Sequence, residues 1–143
     1  MKKISILTMM LATFLSYSSA ASAIDADSTG MPGDNFSLQG AIEMFKKAGS
    51  PEEFEKLINT QSNNVNNLDL DGDGKIDYIR VIDKADKDVH AFILQVAVSD
   101  KENQDIAVIE LEKTSDASAL LQIIGDEDIY GEEIIVEASD GSD

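Results

Sequence analysis

The 143-residue chain contains no cysteine. That removes disulfides, a lipid-anchor cysteine and thiol nucleophiles together. A folded domain here is held by its apolar core, with bound metal as the remaining staple. Histidine is nearly absent too, and His90 stands alone. Without cysteine or a second histidine, a zinc site has almost no sulfur or nitrogen donors to draw on. No G-x-S-x-G nucleophile elbow occurs either. Basic residues are scarce, 11 Lys and Arg against 28 Asp and Glu, for a formal charge of −17. So negative a chain is repelled by phosphate backbones and anionic lipid, which argues against nucleic acid and membrane surfaces as partners. Long apolar runs are also lacking. The most extended, Ile4 to Leu15, is too short to span a bilayer as a stable helix.

That run has a different use. Met1-Lys2-Lys3 precedes it, and Ser16 to Ala23 turns small and polar, ending in Ala21-Ser22-Ala23. Basic, apolar and small-residue regions in that order read as a secretory signal peptide with an A-x-A-like cleavage site. Cleavage after Ala23 is expected to leave residues 24–143, secreted or periplasmic, with no membrane attachment. Losing Lys2 and Lys3 moves the formal charge from −17 to −19.

What the chain has in quantity is aspartate, and one stretch arranges it. Asp69-Leu70-Asp71-Gly72-Asp73-Gly74-Lys75-Ile76-Asp77 places carboxylates at positions 1, 3, 5 and 9 of a short loop, with glycine at position 6. Alternate residues of a tightly turning loop converge on one point, and a calcium ion takes six to eight oxygens at about 2.3–2.6 Å. Gly74 sits where the loop must reverse, a conformation glycine reaches without a Cβ clash. The carbonyl of Lys75, at position 7, adds a main-chain oxygen. Asp and Gly also gather in ordinary surface turns. The spacing is more specific than that, and four converging carboxylates repel one another unless a cation joins them.

At these nine residues the chain resembles the DxDxDG calcium loops, the group that includes the EF-hand. An EF-hand loop closes with a bidentate glutamate at position 12. Here that position is Arg80, and Tyr78 to Asp83 reads as a strand rather than a helix. DxDxDG followed by aspartate at position 9 and a strand is similar to the calcium loops of FG-GAP repeats in integrin-type domains. The resemblance implies Asp69, Asp71, Asp73, the Lys75 carbonyl and Asp77 as calcium ligands. The remainder broadly resembles small secreted bacterial proteins, which implies no activity.

Around the loop the chain changes period. Residues 24–35, punctuated by Gly30, Pro32 and Gly33, read as a flexible arm. Leu38, Ile42 and Phe45 share a helical face that ends at Lys46-Lys47 and Gly49. Ser50-Pro51-Glu52-Glu53 spells a second start, with Ser50 as N-cap and Glu53 closing a capping box. Thr60 to Asn67 reads as a polar connector. Beyond the loop, five runs alternate as strands: Asp77–Asp83, His90–Val98, Asp105–Glu112, Ala119–Ile124 and Glu133–Glu137. Their short connections predict antiparallel neighbours. The second run is apolar on both faces and is expected at the centre of the sheet. The fold class expected is α+β, one domain over 36–143, in which an N-terminal helical pair covers one face of a five-stranded antiparallel sheet.

Three other features bear on chemistry. His90 opens a strand and reads as structural rather than as a catalytic base. Asp126-Glu127-Asp128-Ile129-Tyr130-Gly131-Glu132-Glu133 is a second acidic cluster. It reads as a solvated turn with Tyr130 anchored on the core, against a second cation site or a pair of glycosidase-type carboxylates. Arg80 can pair with Asp83, lean on the acidic loop or face solvent. The functional expectation is a non-enzymatic, secreted calcium-binding domain in which Ca2+ fixes the junction of helices and sheet. The alternatives are a carboxylate-based hydrolase acting on carbohydrate and an inhibitor-like binder of an extracellular or periplasmic protein.

Overall fold

The computed structural model describes residues 29–115 and 118–138. The signal peptide expected over 1–23 lies outside the described residues. The elements below all fall within the unit Met31–Asp143. Their architecture is mixed α+β. Helices α1 (Leu38–Lys47) and α2 (Pro51–Ile58) precede a five-stranded antiparallel sheet. Its strands are β1 (Ile79–Asp86), β2 (Val89–Ala97), β3 (Asn103–Ser115), β4 (Ser118–Gly125) and β5 (Ile134–Glu137). They pair in sequence order, each with its chain neighbour, as the short connections dictate. A third helix, α3 (Glu127–Tyr130), interrupts the strands between β4 and β5.

The helix starts follow the local chemistry. The Ser37 hydroxyl accepts from the Gly40 amide at the head of α1, and the Ser50 hydroxyl from the Glu53 amide at the head of α2. Glu53 does not complete the capping box on Ser50. Its carboxylate accepts from the Gly49 amide one residue earlier, at 2.8 Å. Among the described residues no helix is long and apolar enough to cross a membrane.

The core lies between the helical pair and one face of the sheet. Ala41, Ile42, Phe54 and Ile58 from the helices meet Ile79, Leu94, Val96, Ile109 and Ile123 from the strands, all essentially without exposure. Phe45 lies edge-on to Phe54 at 5.2 Å and tilted against Phe92 at 5.0 Å, joining both helices to β2.

Three expectations need correction. The centre of the sheet is β3, not the doubly apolar β2, which stands second. In β3, Leu94 pairs with Ala107 while Gln95 pairs with Asp105, so Ile106 is the extra residue of a β-bulge. The bulge buries Ile106 and Ala107 side by side, where strict alternation would have put Ile106 with Val108 and Glu110. Finally, Pro32–Asn35, expected within a flexible arm, forms a 3-10 turn with Gly33 buried. The cause is Tyr130. A Cβ on Gly33 would stand 2.2 Å from its ring, and one on Gly125 2.7 Å from the other side. Two glycines thus leave a slot for one ring, and the Tyr130 hydroxyl donates to the Phe36 carbonyl at 2.9 Å.

Candidate metal centre

The loop over 69–77 is exposed, but the chain on either side of it is not. Leu68 before it and Ile79 after it have no exposure, so both ends are fixed in the core. Two asparagines tie the ends together. The Asn66 amide donates to the Asp77 carbonyl at 2.8 Å, while its side-chain oxygen accepts from the Leu68 amide at 3.0 Å. Asn59, at the end of α2, donates to the Ile79 carbonyl at 2.7 Å and accepts from the Ile79 amide at 2.9 Å. Asn66 also donates to the Asn59 oxygen. Glu55 of α2 accepts from the Val81 amide and, through its other oxygen, from the Tyr78 hydroxyl. The asparagine-rich connector is therefore a brace. No apolar periodicity marks such residues, and the only available signal was their placement just before the loop.

Within the loop the aspartates fold the backbone around themselves. Asp69 accepts from the amides of Asp73 at 3.1 Å and Gly74 at 2.9 Å. Asp71 accepts from Asp73 at 3.2 Å, and Asp73 from Lys75 at 2.8 Å. Gly72 and Gly74 take φ of 72° and 84°, the left-handed region that other residues enter at a cost. Asp77 closes the turn, its carboxylate accepting from the Leu70 amide and its own amide donating to the Leu68 carbonyl. The result brings Asp69, Asp71, Asp73 and Asp77 together, each offering an oxygen within 4.8 Å of the others. Oxygens on opposite sides of one calcium ion stand about 4.6–5.2 Å apart, twice the usual bond length. The four carboxylates could therefore hold a metal ion without the loop opening.

The electrostatics divide the set. Desolvation in the loop pushes Asp69 up, but the amides of Gly74, Asp73 and Gly72 together with the Asp71 carboxyl outweigh it. Its carboxyl lies below the ordinary aspartate value. At Asp71 the Asp73 amide pulls down. Desolvation, the Asp69 carboxyl and the charges of Asp73 and Asp77 outweigh that pull and raise it. Like charges crowd at Asp71, and a cation there would relieve them.

The other candidates fall elsewhere. His90 bonds the Asp83 carboxylate and stacks on Phe92 at 4.6 Å, near the turn of the β1–β2 hairpin and away from the loop. Arg80 reaches across the sheet to the side-chain oxygens of Gln95 at 2.7 Å and Asn103 at 3.0 Å. Of the second acidic cluster, residues 127–130 form α3. Asp126 caps that helix by accepting from the Asp128 amide, and Ile129 is buried. Asp126, Glu127 and Glu133 line an open cleft of about 290 Å³ with Asp105. Among the described residues, the tight carboxylate cluster is the one over 69–77.

No protein-family model, curated protein or solved structure matches the chain. What the structure shows of the loop is four aspartates placed so that they could hold a metal ion.

Proposed function

We propose that the chain is a secreted, non-enzymatic calcium-binding domain. In this reading Asp69, Asp71, Asp73, the Lys75 carbonyl and Asp77 hold one Ca2+, and the ion fixes the junction between the helical pair and the sheet. The observation that carries it is the convergence of four aspartate oxygens within 4.8 Å in a loop whose ends are buried. Calcium is favoured over magnesium by chemistry. An exposed ring of flexible carboxylates suits a large ion with variable coordination, whereas magnesium demands octahedral geometry at about 2.0–2.1 Å and keeps its water. Arg80 at position 12 supplies no bidentate carboxylate, which sets the expected affinity in the range of extracellular modules, about 10⁻⁴–10⁻³ M.

Connectivity supports the junction role. Asn59, the C-cap of α2, bonds both backbone groups of Ile79 just after the loop, and Glu55 within α2 accepts from the Val81 amide; Ile79 and Val81 both lie in β1. An ion that tightens the loop therefore tightens the link between the two layers. Calorimetric titration of the purified chain with calcium and with magnesium tests the reading. One calcium site with weaker magnesium binding supports it, and equal binding of the two ions, or none, overturns it.

A further inference from the structure

The sheet face turned away from the helices carries a feature the metal reading does not use. Pairing aligns Ile82 with Ile93, Ile93 with Val108, Val108 with Ile124 and Ile124 with Ile135. Each of the five strands thus gives one aliphatic residue to a single row across the sheet. All five are half-buried and lie outside the core, which takes their chain neighbours Val81, Leu94, Ile109, Ile123 and Val136. An antiparallel sheet packed on one face ordinarily turns polar residues to the other. A contiguous apolar band rimmed by polar groups marks an interaction site.

The rim tells what kind. At β3 and β4 the row opens into the 290 Å³ cleft, where Val108 and Ile124 are joined by the carboxylates of Asp105, Asp126, Glu127 and Glu133. The adjacent row runs Lys84, Ala91, Glu110, Gln122 and Glu137. Arg80, on β1, gives its guanidinium to Gln95 and Asn103. A second copy fits this face poorly. Each chain carries a formal charge of −17. A two-fold axis along β3 would set Asp105 and Glu110 against their own counterparts, and an axis across the strands along the aliphatic row would set Arg80 against Lys84 of the other copy.

We propose that this face docks a partner polypeptide segment with one apolar side and a lysine or arginine that enters the carboxylate cleft. The aliphatic row removes apolar surface from water, and the cleft supplies charge-assisted bonds that select a basic side chain.

A labelled peptide of about 18 residues, five helical turns of leucine and lysine with one apolar side, is a suitable probe. Its leucine–glutamate counterpart serves as the control. Binding is followed by fluorescence anisotropy at about 0.15 M salt, where non-specific attraction between distant charges is screened. The basic peptide should bind at least about tenfold more tightly than the acidic one. Ile93→Lys with Ile124→Lys should abolish binding. Should that pair impair folding, Glu127→Gln with Glu133→Gln keeps the sheet intact and should weaken binding by about tenfold. Removing two charges from the helical layer instead, by Glu43→Gln with Glu52→Gln, should leave it unchanged. Equal binding of both peptides, an equal loss from the helical-layer pair, or sedimentation showing the chain dimerised through the aliphatic row would each overturn the proposal.

Discussion

Two acidic stretches, one with four carboxylates in nine residues and the other with five in eight, take opposite forms in this molecule. In the loop over 69–77, Asp69, Asp71 and Asp73 alternate with Leu70 and Gly72, three of the four carboxylates are exposed, and all four lie within reach of one another. In the stretch over 126–133, Ile129 and Tyr130 turn inward, a short helix forms, and Asp126, Glu127 and Glu133 line an open cleft with Asp105 rather than closing on one point. The first anchors itself through buried residues outside it, Leu68 and Ile79. The second anchors itself through its own, with the Tyr130 ring held between Gly33 and Gly125. Charge density alone does not make a cation site. The phase of the carboxylates and the position of the anchors do.

The largest effect that should separate the two regions comes from Tyr130→Ala. It empties the slot between two glycines and should cost about 3–5 kcal/mol, as other large aromatic truncations do. Urea unfolding with and without calcium should show that loss with the calcium increment unchanged. An altered increment would mean that the two regions are coupled. Asn66→Ala should follow, because it leaves the Asp77 carbonyl and the Leu68 amide without their partner in a buried setting, at a cost of about 1–3 kcal/mol. Unlike the tyrosine change, it should also weaken calcium binding in a titration, since it loosens the frame of the loop. The smallest effect concerns Asp71→Asn. The amide oxygen can still accept from the Asp73 amide while one like charge leaves the cluster. Thermal scans in chelator should place this variant slightly above the wild type, and scans in calcium below it.

The sequence made the loop legible because its signal is local. Spacing and glycine placement are contained in nine residues, and so are the backbone bonds that shape them. The two capped helices and the five alternating strands were legible for the same reason. What escaped depended on distant partners. Asn59 and Asn66 matter through Ile79 and Asp77, 20 and 11 residues away. The slot for Tyr130 joins residues at positions 33, 125 and 130. The bulge at Ile106 is a register event between two strands, invisible in either strand alone. The continuous aliphatic row exists only once all five registers are known.

The most direct test of the central claim is the melting temperature of the wild type in chelator and in calcium. An ion that binds only the folded state stabilises it by about 1.4 kcal/mol when present at ten times its dissociation constant. For a domain of this size that is a rise of about 3–6 °C. Asp73→Ala should lose most of the rise, and Glu110→Ala, on the open sheet face, should keep it. The account predicts the higher melting temperature in calcium. The same temperature in both conditions would contradict it and leave the loop a solvated acidic turn.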